Sequence, residues 1–386
     1  MSIPTLQGLQ TALSGLIAEQ QALDTTANNI ANANTEGYTR EQAVLQTNRP
    51  IVIPATNPVT GEGAQLGTGV NVGTISRIRN SYLDSQYRTQ NSALSDASTQ
   101  SEELTQAQAA FNEPSSSGTA AQLSAFWSSW SSLTKEPSSL PVKQGVVEAG
   151  QQLATSLNEL SRQLSTLTSQ TEEQYEAITG PSGEVAAHAS QIAELNQQIK
   201  LSEEAGQQPN EMLDRRDTLI DQLSSLAQVT VTEQSNHMDT VTFGNAAKPL
   251  VEGTKVNWPQ TLTEAAGGKL GALLGLTGPK GALTSYQASL NSVASSLASS
   301  VNALHTSTPF FSGTTAATIA VAVTAAQVQT SSTGEPGGND VALAISELRG
   351  QEAEQGYAAL VEQVGANLQS ARNDQTNLQT TLTAIS

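Results

Sequence analysis

The fold is decided first by a heptad repeat in residues 6–30, whose sequence is LQGLQTALSGLIAEQQALDTTANNI. Apolar or uncharged residues recur in it alternately three and four positions apart, so they share one face of an α-helix. This face consists of Leu6, Leu9, Leu13, Leu16, Gln20, Leu23, Ala27 and Ile30. Residues 32–37, NANTEG, predict the end of the helix, because Asn and Gly tolerate the left-handed backbone of a helix stop.

Beyond this helix, the heptad spacing of apolar residues returns in several later segments. Stretches of a different composition separate these segments. Pro and Gly punctuate the chain after the first helix, and short β-branched runs mark two later segments. The predicted segments are an N-terminal helix and turn (1–37), an extended or hairpin segment (38–82), a bundle of long helices (83–228), a small β-rich domain (229–265 and 306–340), and helices that return to the bundle (266–305 and 341–386). We therefore predict a mainly α fold with a smaller β portion. It is an elongated helical bundle or coiled coil built from the N- and C-terminal segments, with an inserted small β-containing domain.

Three aromatic residues form the candidate core of one short predicted helix. Phe126, Trp127 and Trp130 have the spacing of one helix face. Large aromatic rings of this kind are predicted to be buried core residues first, and an exposed interface is the less favoured alternative.

The composition excludes several classes of function. Only 13% of the 386 residues are charged, and the net charge is −18. Such a charge repels phosphate backbones and anionic lipid surfaces, so neither nucleic acid nor membrane is a predicted partner. The chain has no cysteine, which excludes disulfides and thiolate metal sites.

The remaining chemical groups do not predict a catalytic, metal or cofactor site. The sequence DRRD at 214–217 pairs carboxylates with Arg, which favours a surface ion-pair network over catalysis. His188, His237 and His305 lie in separate predicted elements, without metal-ligand spacing. The glycines of residues 67–73 do not have the spacing of a phosphate-binding loop. We therefore predict that the protein is not an enzyme and holds no cofactor.

Longer stretches of the sequence are similar to a known family. Residues 13–40, LSGLIAEQQALDTTANNIANANTEGYTR, resemble the N-terminal signature shared by flagellar rod, hook and hook-associated proteins. Four further stretches resemble the first type of hook-associated protein in particular, the one at the hook–filament junction. They are GTGVNV (67–72), YLDSQYR (82–88), IAELNQQI (192–199) and PNEMLDRRD (209–217).

The resemblance implies a structural subunit that is exported unfolded, without a cleavable signal, and assembles helically on the hook outside the cell. The implied partners are further copies of the chain, the hook protein and the neighbouring hook-associated protein. An export chaperone also serves this family, but it is associated with a C-terminal helix that this sequence does not contain. The alternatives are another axial subunit of the rod or hook, which the long helices in residues 151–228 disfavour, and a coiled-coil scaffold unrelated to flagella.

The predicted assembly interface lies at the N-terminus. Its residues are Leu6, Leu9, Leu13, Leu16, Leu23, Asn28, Asn29, Ile30, Asn32, Asn34, Gly37 and Tyr38. The apolar members would be buried by neighbouring subunits, although an ordinary helix packed within the chain gives the same pattern. The Asn side chains either bond between subunits or complete the helix end and its turn, and both roles stay open.

Overall fold

The computed structural model describes residues 3–53, 64–234 and 238–385. Predictions that fall on residues 54–63 and on His237 lie outside the described residues. Within them the chain forms ten α-helices and ten β-strands. The helices are α1 (Ile3–Ala31), α2 (Ser81–Phe111), α3 (Thr119–Leu133), α4 (Leu140–Thr179), α5 (Glu184–Glu204), α6 (Asn210–Leu226), α7 (Gly268–Thr277), α8 (Ala282–Leu304), α9 (Asp340–Ser346) and α10 (Glu352–Ile385). The strands are β1 (Glu41–Thr47), β2 (Ile51–Ile53), β3 (Ala64–Leu66), β4 (Val70–Arg77), β5 (Val229–Glu233), β6 (Asp239–Phe243), β7 (Val251–Glu252), β8 (Lys255–Val256), β9 (Phe311–Ser312) and β10 (Ala320–Val321).

The prediction of a mainly α fold with a smaller β portion is confirmed. Two hydrophobic clusters hold the helices together. The larger one joins α2, α3, α4, α8, α9 and α10, and the smaller one joins α5, α6 and the first turns of α7 to a sheet. Phe126 and Trp130 are fully buried in the larger cluster, beside Phe310.

The two segments that the sequence grouped into one β-rich domain lie in different places. Strands β5, β6, β7 and β8 form an antiparallel sheet in that order, and this sheet covers the smaller cluster. Strands β9 and β10 pair only with each other, and Phe311 of β9 belongs to the larger cluster. The segments 229–265 and 306–340 therefore share no sheet, because each packs its apolar residues against a different set of helices.

The long C-terminal helix packs chiefly against α2 and α8. Tyr357 near its start lies beside Phe111 at the end of α2, with ring centroids 6.5 Å apart. Further along, Arg372 Nη2 donates to Thr105 Oγ1 at 3.3 Å. Helix α10 thus runs antiparallel to α2. The C-terminal helix therefore makes its main contact with the second helix of the chain, rather than with the first.

The first helix packs instead against a β-ribbon. Strands β1 and β4 pair antiparallel from Glu41 opposite Arg77 to Thr47 opposite Val70, and β2 pairs with β3 beyond them. Helix α1 lies on β1 and β4. We call the described residues before Asn80 the arm and those from Asn80 onward the body. Among the described residues, neither hydrophobic cluster contains a residue of the arm.

Candidate functional site: the N-terminal arm

Helix α1 packs on the ribbon with its small and polar face. Ala18 and Thr25 are buried at 1% and 7% exposure, and both face the strands rather than solvent. Near the far end, Ser14 Oγ accepts a hydrogen bond from Val70 N at 3.3 Å. Gly69, with φ of +101°, approaches so closely that a Cβ there would lie 2.0 Å from Ser14 Oγ. Small side chains are therefore what this packing requires.

The opposite face of α1 carries an apolar stripe exposed to solvent. It consists of Leu6, Leu9, Leu13, Leu16, Leu23 and Ile30, whose exposures lie between 55% and 73%. Burying a leucine side chain fully is worth about 1.5–3 kcal/mol, and more than half of each residue in this stripe stays exposed within the chain. A continuous exposed apolar surface of this kind marks a site of interaction with another molecule.

Asn29 joins the helix to the first strand. Its Oδ1 accepts hydrogen bonds from Glu41 N and from the Tyr38 hydroxyl, both at 2.8 Å. Its Nδ2 donates to Glu41 O at 2.8 Å. The side-chain amide thus pairs with Glu41 as a neighbouring strand would. Asn29 and Tyr38, both predicted in the assembly interface, are engaged within the chain.

The other predicted polar residues divide between the helix end and the body. Asn32 Nδ2 donates to Asn28 Oδ1 at 2.8 Å, and Thr35 Oγ1 donates to Asn32 Oδ1 at 3.2 Å, as expected for helix-end chemistry. Asn34 is exposed. Gly37, with φ of +78°, lies against α6, where a Cβ would come 2.3 Å from Thr218 Oγ1.

Replacing Asn29 with Ala is expected to loosen the arm locally. The change removes three hydrogen bonds and leaves the half-buried Glu41 backbone without its partners, which costs on the order of 1–3 kcal/mol. Hydrogen exchange should report it as faster exchange of the Glu41 amide, by roughly tenfold or more. The matched control is Asn34→Ala, at an exposed position, which should leave that rate unchanged. An unaltered Glu41 amide in Asn29→Ala would contradict the assignment.

An ion cluster connects the arm to the body. It consists of Arg77, Arg79, Asp84, Arg88, Asp214, Asp217 and Asp221. Arg77 at the end of β4 contacts two carboxylates of α6, Asp214 at 2.8 Å and Asp217 at 2.5 Å. Arg88 of α2 contacts Asp221 at 2.6 Å and Asp217 at 3.3 Å.

The ion pairs predicted for residues 214–217 need correction in two respects. They are not at the surface, since Arg77, Asp214 and Asp217 have side-chain exposures of 11%, 13% and 14%. Their partners are not the adjacent arginines either, because Arg215 is exposed and Arg216 points into the body. The observed partners are Arg77 at the end of β4 and Arg88 in α2, about 130 residues earlier in the chain. The spacing of neighbouring residues cannot predict a pairing over that distance.

Burial and charge act in opposite directions on the carboxylates of α6. Burial raises the pKa of Asp217, but Arg79, Arg77 and Arg88 together outweigh it, so this pKa lies below its ordinary value of 3.8. For Asp221 burial prevails over Arg88, and the pKa is raised. Ionised Asp217 therefore stabilises the folded chain fully at pH values above its ordinary pKa. This stabilisation is lost as the pH falls through the lowered pKa of the folded state.

A second buried polar group, inside the body, was not found from the sequence. Arg216 Nη2 contacts Asp239 Oδ2 at 3.0 Å, and Arg216 Nη1 donates to Asn196 Oδ1 at 3.0 Å. Asn196 in turn donates to the backbone carbonyls of Asp239 and Gly253. Burial raises the pKa of Asp239 to about 6, although Arg216 opposes it. These bonds join α5 and α6 to the sheet. In the sequence, the group is indicated only by Asn196, a polar residue next to the heptad position Leu195.

The described residues contain neither a cluster of metal ligands nor a membrane-spanning helix. Within those residues, no three His, Cys, Asp or Glu side chains gather as metal ligands would. His188 faces Glu184 at 3.5 Å, whereas His305 is buried beside Trp130 and accepts a hydrogen bond from Gln329 N. None of the described helices combines the length and apolar character needed to cross a membrane.

Two family models match this chain. Residues 104–265, which run from the end of α2 to just before α7, match the helical domain of the flagellar hook-associated protein FlgK. This part of the chain is similar to the helical domain of the FlgK family. Residues 9–39, which cover most of α1 and its closing turn, match the flagella basal body rod protein family. The resemblance stated from the sequence is thereby confirmed.

Named relatives agree with these models. Flagellar hook-associated protein 1 of Bacillus subtilis (strain 168) is 36% identical over 228 residues, which are 59% of this chain and 44% of that protein. Flagellar hook-associated protein 1 of Salmonella typhimurium is 29% identical over 245 residues, 63% of this chain and 42% of that protein. The basal-body rod protein FlgG of Agrobacterium fabrum is 38% identical over 80 residues, which cover 19% of this chain and 30% of the rod protein.

A solved structure shows the same relationship. The flagellar hook junction protein FlgK from Burkholderia pseudomallei superposes with a TM-score of 0.50 at 26% sequence identity. The match covers 57% of this chain and 43% of that one. The chain therefore spans less than half the length of the hook-associated proteins it matches.

Proposed function

We propose that this chain is a structural subunit of the bacterial flagellum and forms part of the hook–filament junction. The observation that carries the proposal is the exposed apolar stripe on α1, in a chain of which another part is similar to the FlgK helical domain. The stripe needs a partner surface, and the family match favours a flagellar one. Its partners would be other copies of the chain, the hook protein and the adjacent hook-associated protein.

Assembly by packing follows from the same features. Each copy would bury its apolar stripe against neighbouring copies, and head-to-tail contacts that do not close into a ring generate a helical lattice. With only 13% charged residues, contacts beyond the stripe would rely on amide and hydroxyl hydrogen bonds. The subunit would act outside the cell as a building element, with no catalytic role.

A rod subunit is the second candidate, because residues 9–39 match the rod family and FlgG relatives align with the chain. The FlgG alignment covers 19% of the chain, whereas the alignment with hook-associated protein 1 of Bacillus subtilis covers about three times as much. The junction is therefore the better supported of the two sites.

Electron microscopy of a strain lacking the gene distinguishes the candidates. A junction subunit predicts intact hooks without filaments, with filament protein shed into the medium, and return of filaments when the gene is restored. Loss of the hooks as well would indicate a rod or hook subunit instead. Normal filaments in the deletion strain would refute the proposal.

A further inference from the structure

The contact between the arm and the body is made by polar groups. Thr39 N donates to Asp214 Oδ2 at 3.0 Å, and Ile75 N donates to Gln208 Oε1 at 2.6 Å. Asn210 Nδ2 donates to the Ile75 carbonyl at 2.9 Å and to the Glu41 carboxylate at 2.7 Å. Together with the absence of described arm residues from both hydrophobic clusters, this means that apolar packing does not set the angle of the arm.

A cleft separates the two parts beside these bonds. It has a volume of about 960 Å³ and lies between the end of α1, the ribbon, α5 and α6. Tyr38 and Ile75 line it from the arm, and Gln191, Arg215 and Gln222 line it from the body. Close packing resists displacement because every shift creates voids or clashes, and an interface with an open cleft lacks that resistance.

The covalent connection leaves the arm free to turn. The arm is the N-terminal segment, so the chain passes into the body once, at residues 78–80. Asn80 then caps α2, accepting a hydrogen bond from Tyr82 N at 3.0 Å. A rotation about residues 78–80 would therefore leave α2 and the helices packed on it undisturbed.

Some contacts of the ion cluster lie within the body, and others cross from the arm to α6. Arg88 binds Asp217 and Asp221, so it ties α2 to α6 inside the body. From the arm, Arg77 Nε and Thr39 N contact Asp214, and Arg77 Nη2 donates to Asp217 Oδ2 at 2.5 Å. Arg79, at the point where the chain enters the body, also contacts Asp217 and Asp221. Charged hydrogen bonds between partly buried groups are the strongest of the contacts that cross this junction.

We propose that the arm and body form an adjustable joint, which the ion pairs of Arg77 with Asp214 and Asp217 hold at one angle. When those contacts are released, the arm turns about residues 78–80 while the arm and the body each keep their fold. The joint is a property of the single chain. Its use, letting the apolar stripe meet neighbours at more than one angle, rests on the proposed function.

Distances between paired spin labels test the joint, and the absence of native cysteine makes labelling specific. One pair, Gln20→Cys with Gln197→Cys, spans the joint from α1 to α5, and all label sites are exposed. The other, Gln20→Cys with Gln42→Cys, lies within the arm. In the double variant Asp214→Asn, Asp217→Asn, which removes both ion pairs of Arg77, the spanning pair is expected to lose its single distance and give a broad distribution, while the pair within the arm stays unchanged.

Glu159→Gln is the matched control, because it also removes a carboxylate bound to an arginine, here Arg162 on the surface of α4. It should leave both label pairs unchanged. Arg77→Gln cuts the same two ion pairs from the arm side and should repeat the result of the double variant, deciding the matter if the double variant fails to fold.

Three outcomes would overturn the proposal. A spanning distance as narrow in the double variant and in Arg77→Gln as in the wild type would show that other contacts hold the arm. Broadening of the pair within the arm would mean that the arm unfolds rather than turns. Equal broadening in Glu159→Gln would show that the effect does not depend on this contact. Failure of the proposed function would appear separately, in the flagella of the deletion strain.

Discussion

Cells whose only copy of this chain carries Leu16→Asp and Leu23→Asp are expected to make hooks but no stable filaments, although the variant protein folds normally. Both leucines are 68% exposed in the single chain, so their replacement removes little internal packing. The helix itself loses roughly half a kcal/mol for each Asp. In an assembled layer each change would forfeit about 1.5–3 kcal/mol of leucine burial. It would also place an unpaired carboxylate in an apolar contact, at a further cost.

The matched control uses the same substitution on the sides of the same helix. Gln10→Asp and Thr26→Asp add identical charges at exposed positions outside the apolar stripe, so filaments should form as in the wild type. Counts of filament-bearing flagella by electron microscopy provide the functional measurement, and thermal unfolding of the purified variants provides the folding one. If filaments assemble on the Leu16→Asp, Leu23→Asp chain, the stripe is not an assembly surface.

Trp130→Ala is expected to give the largest loss of stability from a single change in the body. Trp130 is fully buried, with ring centroids 5.4 Å from Phe310 and 6.3 Å from Phe126. Its removal leaves a cavity that the surrounding helices cannot fill, which costs roughly 3–5 kcal/mol for Trp→Ala. The ring also fixes the chain around residues 305–311 on α3, so that region should exchange its amides faster.

The free energy of unfolding, measured with denaturant by circular dichroism, tests this expectation. Leu140→Ala is the control, because Leu140 at the start of α4 is 57% exposed and its truncation should change stability by no more than about 0.5 kcal/mol. Similar losses in the two variants would show that the aromatic residues of α3 are not the centre of the larger cluster.

Much of the helical architecture was predictable from residue spacing. Helix α1 follows from the heptads and ends near the NANTEG sequence, and Phe126, Trp127 and Trp130 are buried as their spacing indicates. These features succeed because periodicity and helix-stop chemistry are local, so neighbouring residues carry the whole signal. The short strands were less informative. β9 and β10 are two residues each, and the cluster they join depends on distant helices.

The candidate site was predictable only in part. The leucines and Ile30 could be identified as one apolar face of α1, because a one-sided apolar pattern is visible in the spacing of the sequence. The face opposite them, with Ala18 and Thr25, gave no such signal, since small and polar residues pack against a ribbon without any apolar period. The double role of the Asn29 amide was equally hidden, because it depends on where the turn brings Glu41.

The sequence by itself determined that this chain has long helices, an apolar stripe at its N-terminus and the family signatures of a flagellar axial protein. Only the tertiary structure decided which face of α1 is covered, which helix α10 accompanies, and that Arg77 meets Asp214. The physical reason is range. A helix and its stripe arise from residues within a few turns of one another, whereas ion pairs and packing between residues more than a hundred positions apart exist only once the chain has folded.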